Sequence, residues 1–215
     1  NAEYRCFVAA GGYENEQWWA SDVARAWRLG IGTASGVHVT VRYWLETFRA
    51  RPALLEERHA LGALEDEIYH RWKARLAMTA AEFEALLFEM YPERRYTEAR
   101  YWNDERYGHP TQPVVGISVF EAQAYCAWLA AQTGGAFRLP TEVEWEAAAR
   151  GPCGRTYSYG DAWDVLRSNI LETRIGRPTP VGVFFEGDTP EGVADMAGNV
   201  IQWTSSLYGG IDDVP

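Results

Sequence analysis

The opening segment, NAEYRCFVAAGG, has the apolar spacing of a short amphipathic helix. Tyr4, Phe7 and Val8 fall on one side of such a helix, and Asn1 stands where a capping residue would satisfy the first turn. A pair of glycines follows and would end the helix. The pattern therefore predicts a helix that begins almost at the first residue.

A longer helical pattern occupies the second quarter of the chain. Pro52 suits a first helical position, and apolar residues recur after it at spacings of three, four and seven up to about residue 75. A second helix is then predicted from Thr79, because Glu82 lies three residues later and completes a capping box. The two segments predict a helical hairpin over residues 45–95, approximately.

Two further helices are predicted from capping boxes in the second half of the chain. Ser118 and Glu121 form the capping box of the first helix, which is expected to end at the glycine pair that begins at Gly134. Thr141 and Glu144 open the second, which reads EVEWEAAAR and is closed by another glycine. Both segments carry helical apolar spacing, so they are expected to pack against a core.

Strand-like patterns are shorter and weaker. The segment HVTVRYW alternates between apolar and polar residues, and Pro113–Ile117 is a short apolar run. After Gly151 the helical signal stops, and short apolar runs alternate with Gly, Pro and Asp turns. Helices followed by small strands predict an α+β fold for the chain.

The composition is that of an ordinary globular protein with 215 residues, of which 47% are hydrophobic and 23% are charged. The formal net charge of −10 argues against a nucleic-acid partner, because no Lys/Arg-rich stripe offsets it. No apolar run approaches the ~18 residues of a membrane span. Three cysteines are too few for a disulfide framework, and with no signal-peptide pattern at the start they predict a cytoplasmic location.

No familiar catalytic motif is present, and neither a phosphate loop nor a CxxC pair occurs. Cys126 lies on the apolar face of a predicted helix and is expected to be a small buried residue. Cys153 lies in a polar, glycine-containing loop, which makes it the candidate for an exposed thiol. His59 and His70 lack a third ligand at matching spacing, so they predict no metal site.

The segment DMAGNVIQ allows two interpretations. The Asp195 carboxylate, the carbonyls around Gly198 and Val200, and the Gln202 amide could converge on Ca²⁺, which binds about six to eight oxygen atoms. A hairpin turn built on Gly198-Asn199 explains the same residues without a metal, and local chemistry alone favours it.

Five segments in series resemble the formylglycine-generating-enzyme (sulfatase-modifying factor) domain family. They read NAEYRCFVAAGGY, QPVVGISVFEAQAYCAWLAAQTGGAFRLPTEVEWEAAARG, YSYGDAWD, TPVG and VADMAGNVIQWTSS. The resemblance covers residues 1–35 and 96–208, approximately. It implies a C-type-lectin-like fold with little regular secondary structure. We therefore expect residues 1–215 to form a single domain of this type, with the helical hairpin as an insertion and the C-terminal end of the domain missing.

The resemblance also implies structural calcium, which turns the DMAGNVIQ segment from a turn into a predicted calcium loop. At position 202 the family usually has Glu, whereas this chain has a neutral Gln, which should weaken calcium binding. The ligands implied for two sites are Asn169 and Ile170 for one, and Asp195, Gly198, Val200 and Gln202 for the other.

The function implied by the resemblance has two forms. Oxidase members use a cysteine pair that binds copper, and the three cysteines of this chain do not match those positions. We therefore predict a non-catalytic module that binds a protein or another macromolecular ligand, as in the variable proteins of diversity-generating retroelements. Trp203 and Tyr208 are its candidate contact residues. The alternative is an oxygen-dependent oxidase that modifies a protein cysteine, with catalytic cysteines beyond the chain.

Overall fold

The computed structural model describes residues 1–207, and the chain divides into two compact units. Asn1–Arg25 and the chain from Tyr96 onward form the first unit, and Ala26–Arg95 form the second, which contains the predicted hairpin. The α-helices, in chain order, are α1 (Ala2–Ala9), α2 (Asp22–Arg28), α3 (Ser35–Ala50), α4 (Pro52–Ala60), α5 (Asp66–Leu76), α6 (Ala80–Met90), α7 (Val119–Thr133) and α8 (Glu142–Arg150).

The second unit is a group of four helices around its own apolar core. One face of α3 is buried and carries His38, Val41, Leu45 and Phe48. These residues recur at intervals of three and four, the helical period. The predicted strand HVTVRYW is therefore wrong, because its alternation covers only the first turns of a longer helical pattern. The core is completed by Leu55, Trp72, Phe83 and Leu87 from the other three helices.

The predicted hairpin consists of more than two helices. The first predicted segment breaks into α4 and α5, and Gly62 in the break has a φ of 71°, a left-handed conformation that ends a helix. The predicted start of α6 is confirmed. Thr79 Oγ1 accepts a hydrogen bond from the Glu82 N–H at 3.3 Å, and the Glu82 carboxylate accepts one from the Thr79 N–H at 2.9 Å.

In the first unit, α1 packs on α7 through aromatic side chains. Phe7 is fully buried and its ring lies 5.8 Å from Trp128 and 5.7 Å from Tyr13. The predicted helices α1, α7 and α8 are confirmed, as are the capping boxes of α7 and α8. The C-cap Gly134 has a φ of 71°, as expected for a residue that ends a helix.

The capping glutamate of α7 has a second role that its position in the sequence does not indicate. Glu121 is buried, with 2% of its surface exposed, and its Oε1 accepts a hydrogen bond from the Tyr13 hydroxyl at 2.5 Å. The Tyr13 hydroxyl lies 2.9 Å from that of Tyr4. Burial raises the pKa of the Glu121 carboxyl above its ordinary value. The side chain therefore joins the start of α7 to the aromatic core.

The predicted α+β, C-type-lectin-like fold is wrong. Residues 1–207 form helices joined by irregular segments, and the described part contains no sheet, only an isolated bridge between Tyr157 and Gly160. The apolar runs after residue 151 do not pair as strands, and their backbone N–H groups donate to carbonyls in turns or in distant loop segments. For example, the Thr189 N–H donates to the Val193 carbonyl at 3.0 Å. Three short 3₁₀ helices lie in this region, at Val165–Arg167, Leu171–Thr173 and Phe185–Gly187.

Among residues 1–207, no helix has the length and apolar character that crossing a bilayer requires.

Candidate functional site

The segment from Asp195 to Trp203, which we call the 195–203 loop, has an unusual backbone. Asp195 and Asn199 have positive φ values of 57° and 67°, and Gly198 has a φ of 153°. Asp and Asn tolerate the left-handed region better than other side chains do, and glycine is free to enter it. A Cβ atom at position 198 would lie 2.6 Å from the Asn169 carbonyl oxygen. The loop therefore packs its own backbone directly against residues 169 and 170.

Asn199 holds this loop to two other segments with both ends of its amide. Its Oδ1 accepts hydrogen bonds from the Thr179 N–H at 2.9 Å and from Asn169 Nδ2 at 3.2 Å. Its Nδ2 donates to the Thr179 carbonyl and to Asp195 Oδ2, both at 3.2 Å. The backbone N–H of Asn199 also donates to the Asn169 carbonyl at 2.9 Å. One half-buried side chain thus links three stretches of irregular chain.

Gln202 ties the far end of the loop to helix α8. Its Nε2 donates to the Asp195 carbonyl at 3.0 Å, and its Oε1 accepts from Trp145 Nε1 at 2.9 Å. The next residue, Trp203, donates from Nε1 to the Ile117 carbonyl at 2.9 Å. The loop is therefore fixed on one side to α8 and on the other to the segment that precedes α7.

Two cavities meet at the 195–203 loop. One has a volume of about 500 Å³ and is bounded by the loop, by residues 169–171 and by Trp145. The other has a volume of about 720 Å³ and is bounded by residues 113–117, by Leu139 and Pro140, and by Trp203. Asp195 lines both cavities, and among the described residues that line them it is the only charged one. A single carboxylate thus lies where two largely apolar cavities join.

The sequence-predicted site residues are brought together. The residues predicted for two calcium sites all line the 500 Å³ cavity: Asn169, Ile170, Asp195, Gly198, Val200 and Gln202. The candidate contact residue Trp203 is half exposed and lines the 720 Å³ cavity. The other candidate, Tyr208, lies outside the described residues.

The donor chemistry of these residues fits calcium poorly. The amides of Asn169 and Gln202 turn N–H groups toward the carbonyls of Arg177 and Asp195. The orientation of Gln202 is fixed, since the indole N–H of Trp145 can only donate and must face the amide oxygen. Only Asp195 offers a carboxylate, whereas Ca²⁺ binds about six to eight oxygens. Calcium binding at these residues stays a prediction.

Residues 1–207 contain no group of three or more His, Cys, Asp or Glu side chains that could hold an ion. Cys6 and Cys153 are exposed, and Cys126 is half-buried, where burial raises the pKa of its thiol. In the second unit, His59 Nε2 lies 2.7 Å from Asp66 Oδ1. We therefore assign no oxidation step to the described residues.

Two residues of the site were missed by sequence reasoning. The Gly-Asn pair predicts that Asn199 is a turn residue, whereas its hydrogen bonds join segments 20 and 30 positions away. Trp145 lies in α8, where its spacing gave no sign that its indole reaches Gln202, 57 residues later. Neither contact has a local signal, since both depend on how distant segments pack.

The first comparison concerns the family. Residues 1–213 match the model of the sulfatase-modifying factor enzyme 1-like domain. This match covers nearly the whole chain, and the chain belongs to that family. The family that the five quoted segments indicate is thereby confirmed.

Three relatives show the range of proteins to which the chain is similar. A hercynine oxygenase from Mycolicibacterium thermoresistibile is 30% identical over 219 residues, which cover 96% of this chain and 33% of the relative. An inactive C-alpha-formylglycine-generating enzyme 2 from Bos taurus is 36% identical over 110 residues, 46% of this chain and 35% of the relative. A formylglycine-generating enzyme from Mycobacterium tuberculosis is 34% identical over 115 residues, 48% of this chain and 36% of the relative. The chain thus spans about a third of the length of these relatives.

Proposed function

We propose that this chain binds and orients the substrate in an oxygen-dependent enzyme of the sulfatase-modifying factor family. The observation that carries the proposal is the position of Asp195, a single carboxylate between two cavities whose other described lining residues are uncharged. This arrangement suits a substrate with a cationic or N–H-bearing group and an apolar body. An apolar wall excludes water and strengthens the attraction between the carboxylate and such a group.

The 195–203 loop contributes rigidity to this function. Asn199 fixes Asp195 Oδ2 by a hydrogen bond of 3.2 Å, and Gln202 fixes the Asp195 carbonyl at 3.0 Å. A carboxylate that is already held in place loses little conformational entropy when it binds a ligand. The exposed side chain of Ile201, which lines both cavities, offers an apolar surface beside it.

The relatives support the oxygen-dependent interpretation over the non-catalytic one predicted from the sequence. The hercynine oxygenase matches across 96% of this chain, including the 195–203 loop. The proposal assigns the chain no metal ligand and no redox step. Its residues bind the substrate, exclude water from it and hold its N–H or cationic group.

The test is oxygen uptake by the full-length protein, measured with hercynine or with a cysteine-containing peptide, in the presence of iron(II) or copper(I). We expect uptake that depends on one of the two substrates. The Asp195→Asn variant keeps the size of the side chain and an oxygen for Asn199, but it loses the charge. It should raise the KM about tenfold, as expected when a charge-assisted contact is lost.

A non-catalytic binding module is the second candidate, because one similar protein is the inactive C-alpha-formylglycine-generating enzyme 2 of Bos taurus. Its partner would be a protein or another macromolecule that uses the same cavities. The two candidates differ in one result. If the full-length protein binds a substrate or a peptide without any oxygen uptake, the oxygen-dependent function is contradicted and the binding module is supported.

A further inference from the structure

Two arginines differ from the others of the first unit. Among the described residues, Arg174 and Arg177 have neither a carboxylate nor an aromatic ring as a partner. Elsewhere in this unit arginines are paired, as Arg155 is with Glu191 at 3.0 Å, or lie over a ring, as Arg100 does over Tyr101. Both residues are exposed, so their guanidinium groups are available to an anionic ligand.

Both arginines line the same cavity, which has a volume of about 630 Å³. Tyr107 forms part of the wall, and Ile170 and Leu171 add an apolar side. None of the described residues that line this cavity is acidic. The cavity is therefore a local region of positive charge on a chain whose net charge is −10.

The backbone that presents these arginines is held in place. Arg174 has a φ of 54°, a left-handed conformation that costs a residue other than glycine about 1 kcal/mol. Asn169 Nδ2 donates to the Arg177 carbonyl at 2.9 Å, and the buried Gln112 donates from Nε2 to the Pro178 carbonyl at 2.6 Å. Strain at one arginine and hydrogen bonds next to the other are typical of a segment that is organised before its ligand arrives.

We propose that this cavity binds the carboxylate group of a small organic molecule between Arg174 and Arg177. Guanidinium groups pair with carboxylates through charge-assisted hydrogen bonds, often two at a time. The apolar side formed by Ile170 and Leu171 suits the carbon skeleton of such a molecule better than it suits a free inorganic anion. The proposal concerns a cavity next to the one that contains Asp195 and does not depend on the oxygen-dependent function.

Calorimetric titration of the full chain with succinate tests the proposal, at an ionic strength held constant with sodium chloride because salt screens exposed charges. Three variants each remove one positive charge. Arg174→Gly also relieves the left-handed strain, which offsets the entropy cost of glycine, so its stability should be close to that of the wild type. Arg177→Gln changes the second arginine, and Arg100→Gln is the matched control outside the cavity.

We expect saturable succinate binding by the wild type, weakened about tenfold or more in Arg174→Gly and in Arg177→Gln and unchanged in Arg100→Gln. Circular dichroism should be the same for all four proteins. The proposal is overturned if the wild type shows no saturable binding, or if Arg100→Gln loses as much affinity as the cavity variants. Binding of inorganic phosphate more tightly than succinate would overturn the assignment to an organic carboxylate.

Discussion

Replacing Asn199 by glycine removes the side chain that links three segments around the candidate site. The wild-type amide accepts from the Thr179 N–H and Asn169 Nδ2, and it donates to the Thr179 carbonyl and Asp195 Oδ2. Glycine keeps the positive φ of 67° without strain. The substitution therefore deletes four hydrogen bonds of 3.2 Å or less, together with a longer one of 3.4 Å from the Thr179 hydroxyl, and leaves the backbone conformation available.

The expected cost follows from these contacts. A hydrogen bond contributes about 0.5–1.5 kcal/mol net, and a half-buried group falls in the lower part of that range, so four bonds give ~2–4 kcal/mol. Glycine adds ~0.5–1 kcal/mol of unfolded-state entropy, which the relief of left-handed strain offsets. Asn199→Gly should lower the free energy of unfolding by ~3 kcal/mol. Asn199→Ala should lower it by ~1 kcal/mol more, because alanine must adopt the left-handed conformation.

Urea unfolding, followed by tryptophan fluorescence and by circular dichroism, measures these differences. The control is Asn103→Ala, which removes an exposed amide that donates to Glu98 at 2.7 Å and should cost less than ~0.5 kcal/mol. If Asn199→Gly costs no more than Asn103→Ala, the amide does not hold the loop. If Asn199→Ala is the more stable of the two Asn199 variants, the left-handed backbone is not required.

Three other predictions concern single positions. Gly198→Ala should destabilise by ~2 kcal/mol or more in a thermal melt, since its Cβ would lie 2.6 Å from a backbone carbonyl. The control is Gly192, which has a φ of 83° and no atom within 4 Å of an added Cβ, so Gly192→Ala should cost only the ~1 kcal/mol of left-handed strain. Equal losses of stability in Gly198→Ala and Gly192→Ala would contradict the close packing of the loop. Because burial raises the pKa of Glu121 above 4.5, its stabilising contribution is present below pH 4.5 and is lost as pH rises through the folded pKa. In urea titrations, the free energy of unfolding of the wild type minus that of Glu121→Gln should therefore fall as the pH rises above 4.5. A difference that stays constant or increases with pH would refute this prediction. Calcium at millimolar concentration should raise the melting temperature of the wild type only slightly. It should raise that of Gln202→Glu clearly more, because glutamate adds a second carboxylate. Equal shifts in the two proteins would contradict calcium binding at this loop.

The helices were predictable where a capping residue and an apolar face agree. The capping boxes at Thr79, Ser118 and Thr141 each mark the start of a helix. In each box the capping side chain accepts a hydrogen bond from the backbone N–H three residues later, and the glutamate at that position accepts one from the N–H of the capping residue. By contrast, the strand predicted at HVTVRYW was wrong. Seven alternating residues fit both periods, and only the later buried positions Leu45 and Phe48 identify the helix.

Some residues of the candidate site could be predicted from the sequence, but its geometry and two of its members, Trp145 and Asn199, could not. The residues around Asp195 and Asn169 follow from the family resemblance, and they do line one cavity. Their hydrogen bonds could not be predicted, because Gln202 meets a tryptophan of α8 and Asn199 meets a threonine 20 residues earlier. Such contacts depend on the path of irregular chain between helices, for which no periodic pattern exists.

Hydrogen–deuterium exchange of the full-length protein, with and without the substrate that supports oxygen uptake, tests most directly whether the 195–203 loop binds that substrate. We expect slower exchange at residues 195–203 and 169–171 in the wild type, and no such change in Asp195→Asn at the same substrate concentration. Substrate-dependent oxygen uptake accompanied by protection only elsewhere in the protein would contradict this role of the loop.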